Sequence, residues 1–313
     1  MSNCTLHEEQ GVPGMSDAPS NSGPPAPDVD PGALKEIAAG VFVIVDRRIP
    51  LVPNIGIILG QNAALVVDTG MGPVNGQRVL DCAQRLAGQR RLILTLTHFH
   101  PEHGFGAQVF KGVAKIHYNK AQRDELRAKG DGYLGMFKTF GPSVAAALEG
   151  THLVQPDDVY DGASASIDLG GCTVEMRTWG LAHTVGDQIV WLPQERILFT
   201  GDLAEERIFP IFPWFPPNDT DIDGARWAQI LTELASWNPA IVVPGHGDIG
   251  GVEILTAVRD YMVDLGKRVA SERKAGKDAD AIVASVGPKV RAEHPDWSAP
   301  EWIDFAIRYY ATL

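Results

Sequence analysis

Cysteine is scarce in this 313-residue chain. The three that occur, Cys4, Cys82 and Cys172, are odd in number, far apart and never arranged as CxxC. That excludes a disulfide framework and a thiolate zinc site, and it fits a reducing compartment. Long apolar runs are also missing, none approaching the roughly 20 residues that a membrane-spanning helix needs. The first residues show no basic segment followed by an apolar stretch, so no signal peptide is expected, and a cytoplasmic location is the default. Positive charge is the third shortage. Lysine and arginine total 27 against 39 acidic residues, for a net charge of −12. No basic patch is available for a polyanion, so nucleic acid is not the expected partner; a small-molecule substrate is.

What remains is ordinary globular material, 44% hydrophobic and 21% charged, enough for a sizeable core. Residues 1–32 are the exception. They are rich in Pro, Gly, Ser, Asn and Asp, with little to bury, and read as a disordered leader, most plainly from Ser16 to Gly32. Strand-like runs follow at Val41–Val45, Asn54–Leu59 and Ala64–Val67, with Gly60-Gln61-Asn62 as a hairpin turn. Apolar residues at helical spacing cover 74–87 and stop at Gly88, and Arg91–Leu96 is a strand that delivers Thr97-His98. Residues 119–150 read as mainly helical. Strands return at Cys172–Arg177, Gln188–Trp191, Ile197–Thr200 and Ile241–Val243, and the chain is helical from Val252 onward. Ser298-Ala299-Pro300-Glu301 fits a capping box, with Trp302, Phe305, Ala306 and Tyr309 on one face of the helix behind it. The pattern predicts a layered α/β domain over residues 33–250, with residues 251–313 as a helical extension packed on the same domain. Those last helices would cap the site or form a homodimer contact.

The chemistry is concentrated in Thr97-His98-Phe99-His100-Pro101-Glu102-His103-Gly104, three imidazoles and a carboxylate within six residues of a chain with nine histidines. In extended backbone His98 and His100 point the same way, and a turn at Pro101 can return Glu102 and His103 to the same space. A solvated polar loop is the blander explanation. Three further elements weigh against it: His183 in Gly180-Leu181-Ala182-His183-Thr184, Asp202 at the end of an apolar strand, and His246 in Val243-Pro244-Gly245-His246-Gly247. Each alone would pass as structural. Together, at strand ends and flanked by glycines that let backbones approach closely, they point to a metal centre.

With Asp68-Thr69-Gly70 added, the five elements fall in the order that marks the metallo-β-lactamase superfamily, which the chain resembles from roughly Gly40 to Gly250. The resemblance implies an αββα sandwich with two metals at one edge. His98, His100 and His183 would hold the first metal, Glu102, His103 and His246 the second, and Asp202 would bridge them. Asp68 would orient ligands by hydrogen bonds from behind. One departure stands out: the family's carboxylate is an Asp, and this chain has Glu102. The extra methylene extends its reach by about 1.5 Å, whereas metal–oxygen distances tolerate about ±0.2 Å. Full ligation is the first expectation, with a free Glu102 acting as general base the second.

Nitrogen and carboxylate donors without Cys suit Zn²⁺, and Fe or Mn is compatible with the same ligand types. A water shared by two such ions ionises near neutral pH, so the implied activity is hydrolysis of an ester, lactone, lactam or related bond, with Asp202 and Glu102 as catalytic carboxylates. Competing implications are an iron-dependent persulfide-type oxygenase of the same fold, and a metal-stabilised binding protein without turnover. A stiff aromatic stretch, Arg207–Pro217, follows Asp202 closely. Its Phe209, Phe212, Trp214 and Phe215, with Tyr133, Phe137 and Trp179, are expected to wall a pocket for a partly apolar substrate, ordinary core packing being the alternative.

Overall fold

The computed structural model describes residues 24–313. Seven strands form one sheet in sequential order: β1 (Leu34–Ala38), β2 (Val41–Ile44), β3 (Ile55–Leu59), β4 (Ala63–Val67), β5 (Arg91–Thr95), β6 (Lys115–Asn119) and β7 (Asp158–Tyr160). Five more form a second sheet in the order β12-β11-β10-β9-β8, namely β8 (Ser164–Asp168), β9 (Thr173–Arg177), β10 (Ile189–Leu192), β11 (Ile197–Gly201) and β12 (Ile241–Pro244).

Side-chain alternation divides the core into three layers. Val41, Val43, Ile58, Leu65 and Val67 of the first sheet meet Val174, Met176, Val190, Leu192 and Phe199 of the second. The opposite face of the first sheet, with Ile55, Ile57, Val66 and Leu94, packs on α1 (Gly72–Ala87) and α3 (Lys120–Phe137). The opposite face of the second, with Ile189, Trp191, Leu198 and Val242, packs on α5 (Gly224–Ser236), α6 (Glu253–Lys274), α7 (Ala279–Glu293) and α8 (Trp302–Thr312). The architecture is therefore an αββα sandwich. Strands covered on both faces, such as β4 and β11, are apolar at nearly every position for that reason. Gly56 marks how closely the sheets approach, since a Cβ there would lie 2.6 Å from the Phe199 ring.

The strand runs and the helices predicted from spacing form within a residue or two of their expected limits. β1, β6, β7 and β8 were not anticipated; β1, β7 and β8 lie at sheet edges, where polar residues intrude and alternation blurs. Two expectations need correcting. Residues 24–32, assigned to the leader, are packed: Val29 is 2% exposed, its N–H donates to Asn75, and Asn75 Nδ2 donates to the Pro27 carbonyl. The burial of one valine and two hydrogen bonds to α1 outweigh the polar composition. Residues 1–23 of that segment lie outside the described residues. The capping box does not form either. Ser298 pairs its backbone with Arg207 and Phe209, and the residue preceding α8 is Glu301, without a side-chain cap.

No helix among the described residues is long and apolar enough to cross a membrane.

Candidate metal centre

Parallel pairing builds the site. β4 and β5 run parallel with Val67 opposite Thr95, so Asp68 emerges beside Thr97. β11 and β12 run parallel with Gly201 opposite Pro244, so Asp202 and His246 emerge side by side. Gly245 makes that approach possible, because a Cβ at this position would lie 2.0 Å from Asp202 Oδ1. Beyond β5 the chain is extended through His98 and His100, then turns through a single helical turn, α2 (Pro101–Gly104), that carries Glu102 and His103. Thr69 pins this turn, its N–H and hydroxyl both donating to the His103 carbonyl. His183 comes from the loop between β9 and β10.

All seven residues are at most 6% exposed. Asp202 lies at the centre. Its Oδ2 faces His98 Nε2 at 3.7 Å and His183 Nε2 at 4.0 Å, with His100 Nδ1 3.3 Å from His183 Nε2. Its Oδ1 faces His103 Nε2 at 3.2 Å and His246 Nε2 at 3.7 Å. The donors thus form two groups that share Asp202: His98, His100, His183 and Asp202, and Glu102, His103, Asp202 and His246, each within 4.8 Å of one another.

Four of the five histidines have their outward ring nitrogen tied down; the Nε2 of His100 has no hydrogen-bond partner among the described residues. His103 Nδ1 donates to Asp68 Oδ2 at 2.9 Å, and that carboxylate also accepts from the Thr97 N–H (2.7 Å) and hydroxyl (2.9 Å). His246 Nδ1 donates to the Val52 carbonyl at 2.9 Å, His183 Nδ1 to the Ile211 carbonyl at 3.0 Å, and His98 Nδ1 lies 3.2 Å from the Thr97 hydroxyl. A donated outer N–H leaves the inner nitrogen with a lone pair, the form a metal requires. His98, His103 and His246 Nε2, both Asp202 oxygens and Glu102 Oε2 are buried without a hydrogen-bond partner among the described residues. Buried polar atoms are normally satisfied. So many convergent orphans fit metal ions, and donor separations of 3.2–4.0 Å bracket the roughly 3.4 Å between neighbours of a tetrahedral ion with bonds of about 2.1 Å.

Electrostatics separate the two donor groups, favouring neutral imidazoles in the first and a charged His103–Asp202 pair in the second. Burial, reinforced for His100 by His183, holds the His98 and His100 imidazoles well below their usual range, hence neutral. Burial opposes the charged forms of His103 and Asp202 as well, but their mutual attraction prevails, holding His103 well above and Asp202 well below the ordinary values. Burial pushes the Glu102 carboxyl up.

A match to the family described as the metallo-beta-lactamase superfamily runs over residues 48–246, from β2–β3 through His246. The chain belongs to the metallo-β-lactamase superfamily. It is a metallohydrolase of that superfamily, and its two sheets with outer helices are the superfamily fold. Among curated relatives, the type 2 metallo-beta-lactamase of Bacillus cereus is 24% identical over 67% of this chain and 73% of its own length. That of Bacteroides fragilis is 32% identical over 29% of this chain and 36% of its own. A linear primary-alkylsulfatase from Pseudomonas sp. is 22% identical over 71% of this chain, which spans 47% of that enzyme. Among solved structures, the sec-alkylsulfatase Pisa1 from Pseudomonas sp. superposes with a TM-score of 0.68 at 16% identity, over 89% of this chain and 49% of that one. The DIM-1 metallo-beta-lactamase gives 0.57 at 15% identity, over 77% and 99%.

The aromatic residues are arranged differently from the expected wall. Phe209 and Phe212 are fully buried in this hydrolase, Phe209 against Tyr261 and Trp297, Phe212 against Trp227 and Tyr309. They anchor the loop to the C-terminal helices and offer no surface to a ligand. Phe137 belongs to the core below α3, and Trp179 hydrogen-bonds Glu233 and packs on Trp237, away from the donors. Trp214 and Phe215 are half-buried, Phe215 against Trp302 and Phe305. Tyr133 does reach the centre, stacked on His100 with centroids 5.0 Å apart, its hydroxyl donating to Asp219. Lys129 binds the same Asp219 together with Glu125 and Asp221, which ties α3 to the loop before α5. Cavity size is no guide to the chemistry: a groove of about 890 Å³ between α5, α6 and the end of α8 shares no residue with the donors.

Besides Val52, whose carbonyl holds His246, two residues at the centre carry no signal in the sequence. Ile211 contributes its backbone carbonyl to His183, and Glu205, three residues after Asp202, is 1% exposed.

Proposed function

We propose that this hydrolase holds two divalent metal ions, most readily Zn²⁺, and hydrolyses an ester, lactone, lactam or related bond in a small, partly apolar substrate. His98, His100 and His183 would hold one ion, Glu102, His103 and His246 the other, and Asp202 both. The observation that carries the reading is the division of Asp202, one oxygen toward each histidine group, both oxygens buried and unpartnered among the described residues. When bound, the ions supply Lewis acidity and lower the pKa of water toward ~7.

The chain's own residues do the rest. Asp68, Thr97, Val52 and Ile211 fix four of the imidazoles through their outer nitrogens, and His100 is steadied by the Tyr133 ring stacked on it, which limits the rearrangement needed for binding. Burial of all seven side chains excludes bulk water and strengthens each electrostatic contact. A carboxylate oxygen of Glu102 lies within the second donor group despite the longer side chain, which supports ligation; with Asp202 it would take the proton that the attacking water gives up.

The test is metal analysis of purified protein with a panel of ester, lactone, lactam and sulfate ester substrates, for the wild type and for His183→Ala and Asp202→Ala. Two zinc ions per chain and turnover of one panel class in the wild type, both lost in Asp202→Ala, are expected. Full turnover in either variant would overturn the assignment. Iron in the purified protein, with oxygen consumption in place of hydrolysis, would overturn the hydrolytic reading.

A further inference from the structure

Glu205 is unusual among the buried carboxyls. Among the described residues it has no cationic partner and its Oε1 has no hydrogen-bond partner, while its Oε2 accepts one bond, from the Ile211 N–H at 3.2 Å. Ile211 is also the residue whose carbonyl accepts from His183 Nδ1 at 3.0 Å. Ile211 is therefore held at both polar ends, by Glu205 on one side and by a metal-centre histidine on the other. The loop around it is fixed independently. The Phe209 N–H donates to the Ser298 carbonyl, and Phe212 is sealed against Trp227, whose ring also meets His183 edge-on at 5.3 Å. Burying a carboxyl costs free energy unless something requires it. Loop satisfaction alone would be met by a smaller, neutral side chain.

We infer that Glu205 is a positioning residue for the first metal site, acting through Ile211 to hold the His183 imidazole with Nε2 toward Asp202. The inference rests on the two-metal reading above. In physical terms, the Ile211 N–H would lose its acceptor if Glu205 were replaced by an apolar residue. The segment would then be free to reorient, the His183 Nδ1–H would lose a fixed acceptor, and the tautomer and ring angle would no longer be specified. Burial, with Asp202 nearby, also pushes the Glu205 carboxyl well above its usual range, so a neutral group of the same shape should serve in its place.

That last point selects the variants. Glu205→Met keeps the volume and removes the acceptor; Glu205→Gln keeps both the volume and an acceptor. Zinc is titrated into the metal-free full-length protein against a chromophoric chelator, and the visible spectrum of the cobalt form is recorded. His183→Ala and His246→Ala identify which of the two binding events belongs to which site. The expected result is that Glu205→Met weakens the event abolished in His183→Ala by roughly 10–100-fold and alters its cobalt spectrum, with the other event unchanged. Glu205→Gln should retain wild-type affinity within about threefold. Wild-type affinity at both events in Glu205→Met would overturn the inference, as would a loss confined to the His246 event, or a Gln variant that behaves like Met. Should Glu205→Met fail to fold, Glu205→Asp, which withdraws the carboxyl by about 1.5 Å, is read against the same outcomes. If His183→Ala leaves both events intact, the two-metal reading itself falls, and this inference with it.

Discussion

The turn at residues 98–103 and the loop at residues 205–217 both serve the same metal centre, yet they are held in different ways. The turn supplies four donors and is braced from its own sheet, by Asp68 and Thr97 at the ends of adjacent parallel strands and by Thr69 on its backbone. The loop supplies no donor side chain. It contributes one carbonyl to a site imidazole, and its bulk is spent on anchoring: Phe212 is buried against Trp227 of α5, and Phe209 and Phe212 against Tyr261 and Tyr309, which come more than 40 residues later in the chain. Short-range chemistry with local bracing on one side faces long-range packing on the other, with two backbone contacts to the site, the Ile211 carbonyl to His183 and the Glu206 N–H to the His246 carbonyl. Substitutions in the turn should therefore alter metal binding, and substitutions of the loop's anchoring aromatics, Phe209 and Phe212, should mainly alter stability.

Asp202→Ala is the largest break, since it removes the one residue common to both donor groups. We expect fewer than one tightly bound ion per chain and a loss in kcat/KM of about a thousandfold or more, read by metal analysis and steady-state kinetics. Next comes Phe212→Ala. It should cost about 3–5 kcal/mol in denaturant unfolding while two ions remain bound; loss of metal at equal stability would reverse the contrast drawn above. Asp68→Ala should do the opposite. By removing the acceptor of His103 Nδ1 and the clamp on Thr97, it should weaken one zinc-binding event by roughly 10–100-fold in a chelator titration. Trp214→Ala should be smallest, within about 0.5 kcal/mol in stability. A rise in KM without a change in kcat would show that the half-buried ring touches substrate after all.

Much of this was legible in the sequence, and the limits have physical causes. Ligating side chains must be particular residue types at strand ends, so His98, His100, His103, His183, Asp202 and His246 stand out in a chain poor in other such clusters. Strands buried on both faces are apolar throughout, so a layered α/β domain is legible in runs such as Ala63–Val67, whereas the αββα sandwich follows only from the resemblance. The contacts of Ile211 and Val52 were not legible, because a backbone carbonyl carries no residue signature. The roles of Phe209 and Phe212 were misjudged because aromatic composition is the same for a pocket wall and for an anchor, and the helices that bury them lie far along the chain. Ser298-Ala299-Pro300-Glu301 has the right spacing for a capping box. The nearby backbone of Arg207 and Phe209 offered Ser298 a competing partner.

Anchoring by Phe209 and Phe212 also makes the outer end of the loop separable from its root. Residues 214–218 are half-buried or exposed, while the residues that fix the backbone at Ile211 lie before them or far away in the helices. For protein engineering this marks a graftable tip. The exposed Pro216, Pro217 and Asn218 can be exchanged as a library with the scaffold beneath left as it stands, whereas Trp214 and Phe215 pack on the core layer of the second sheet and its helices and belong to the root.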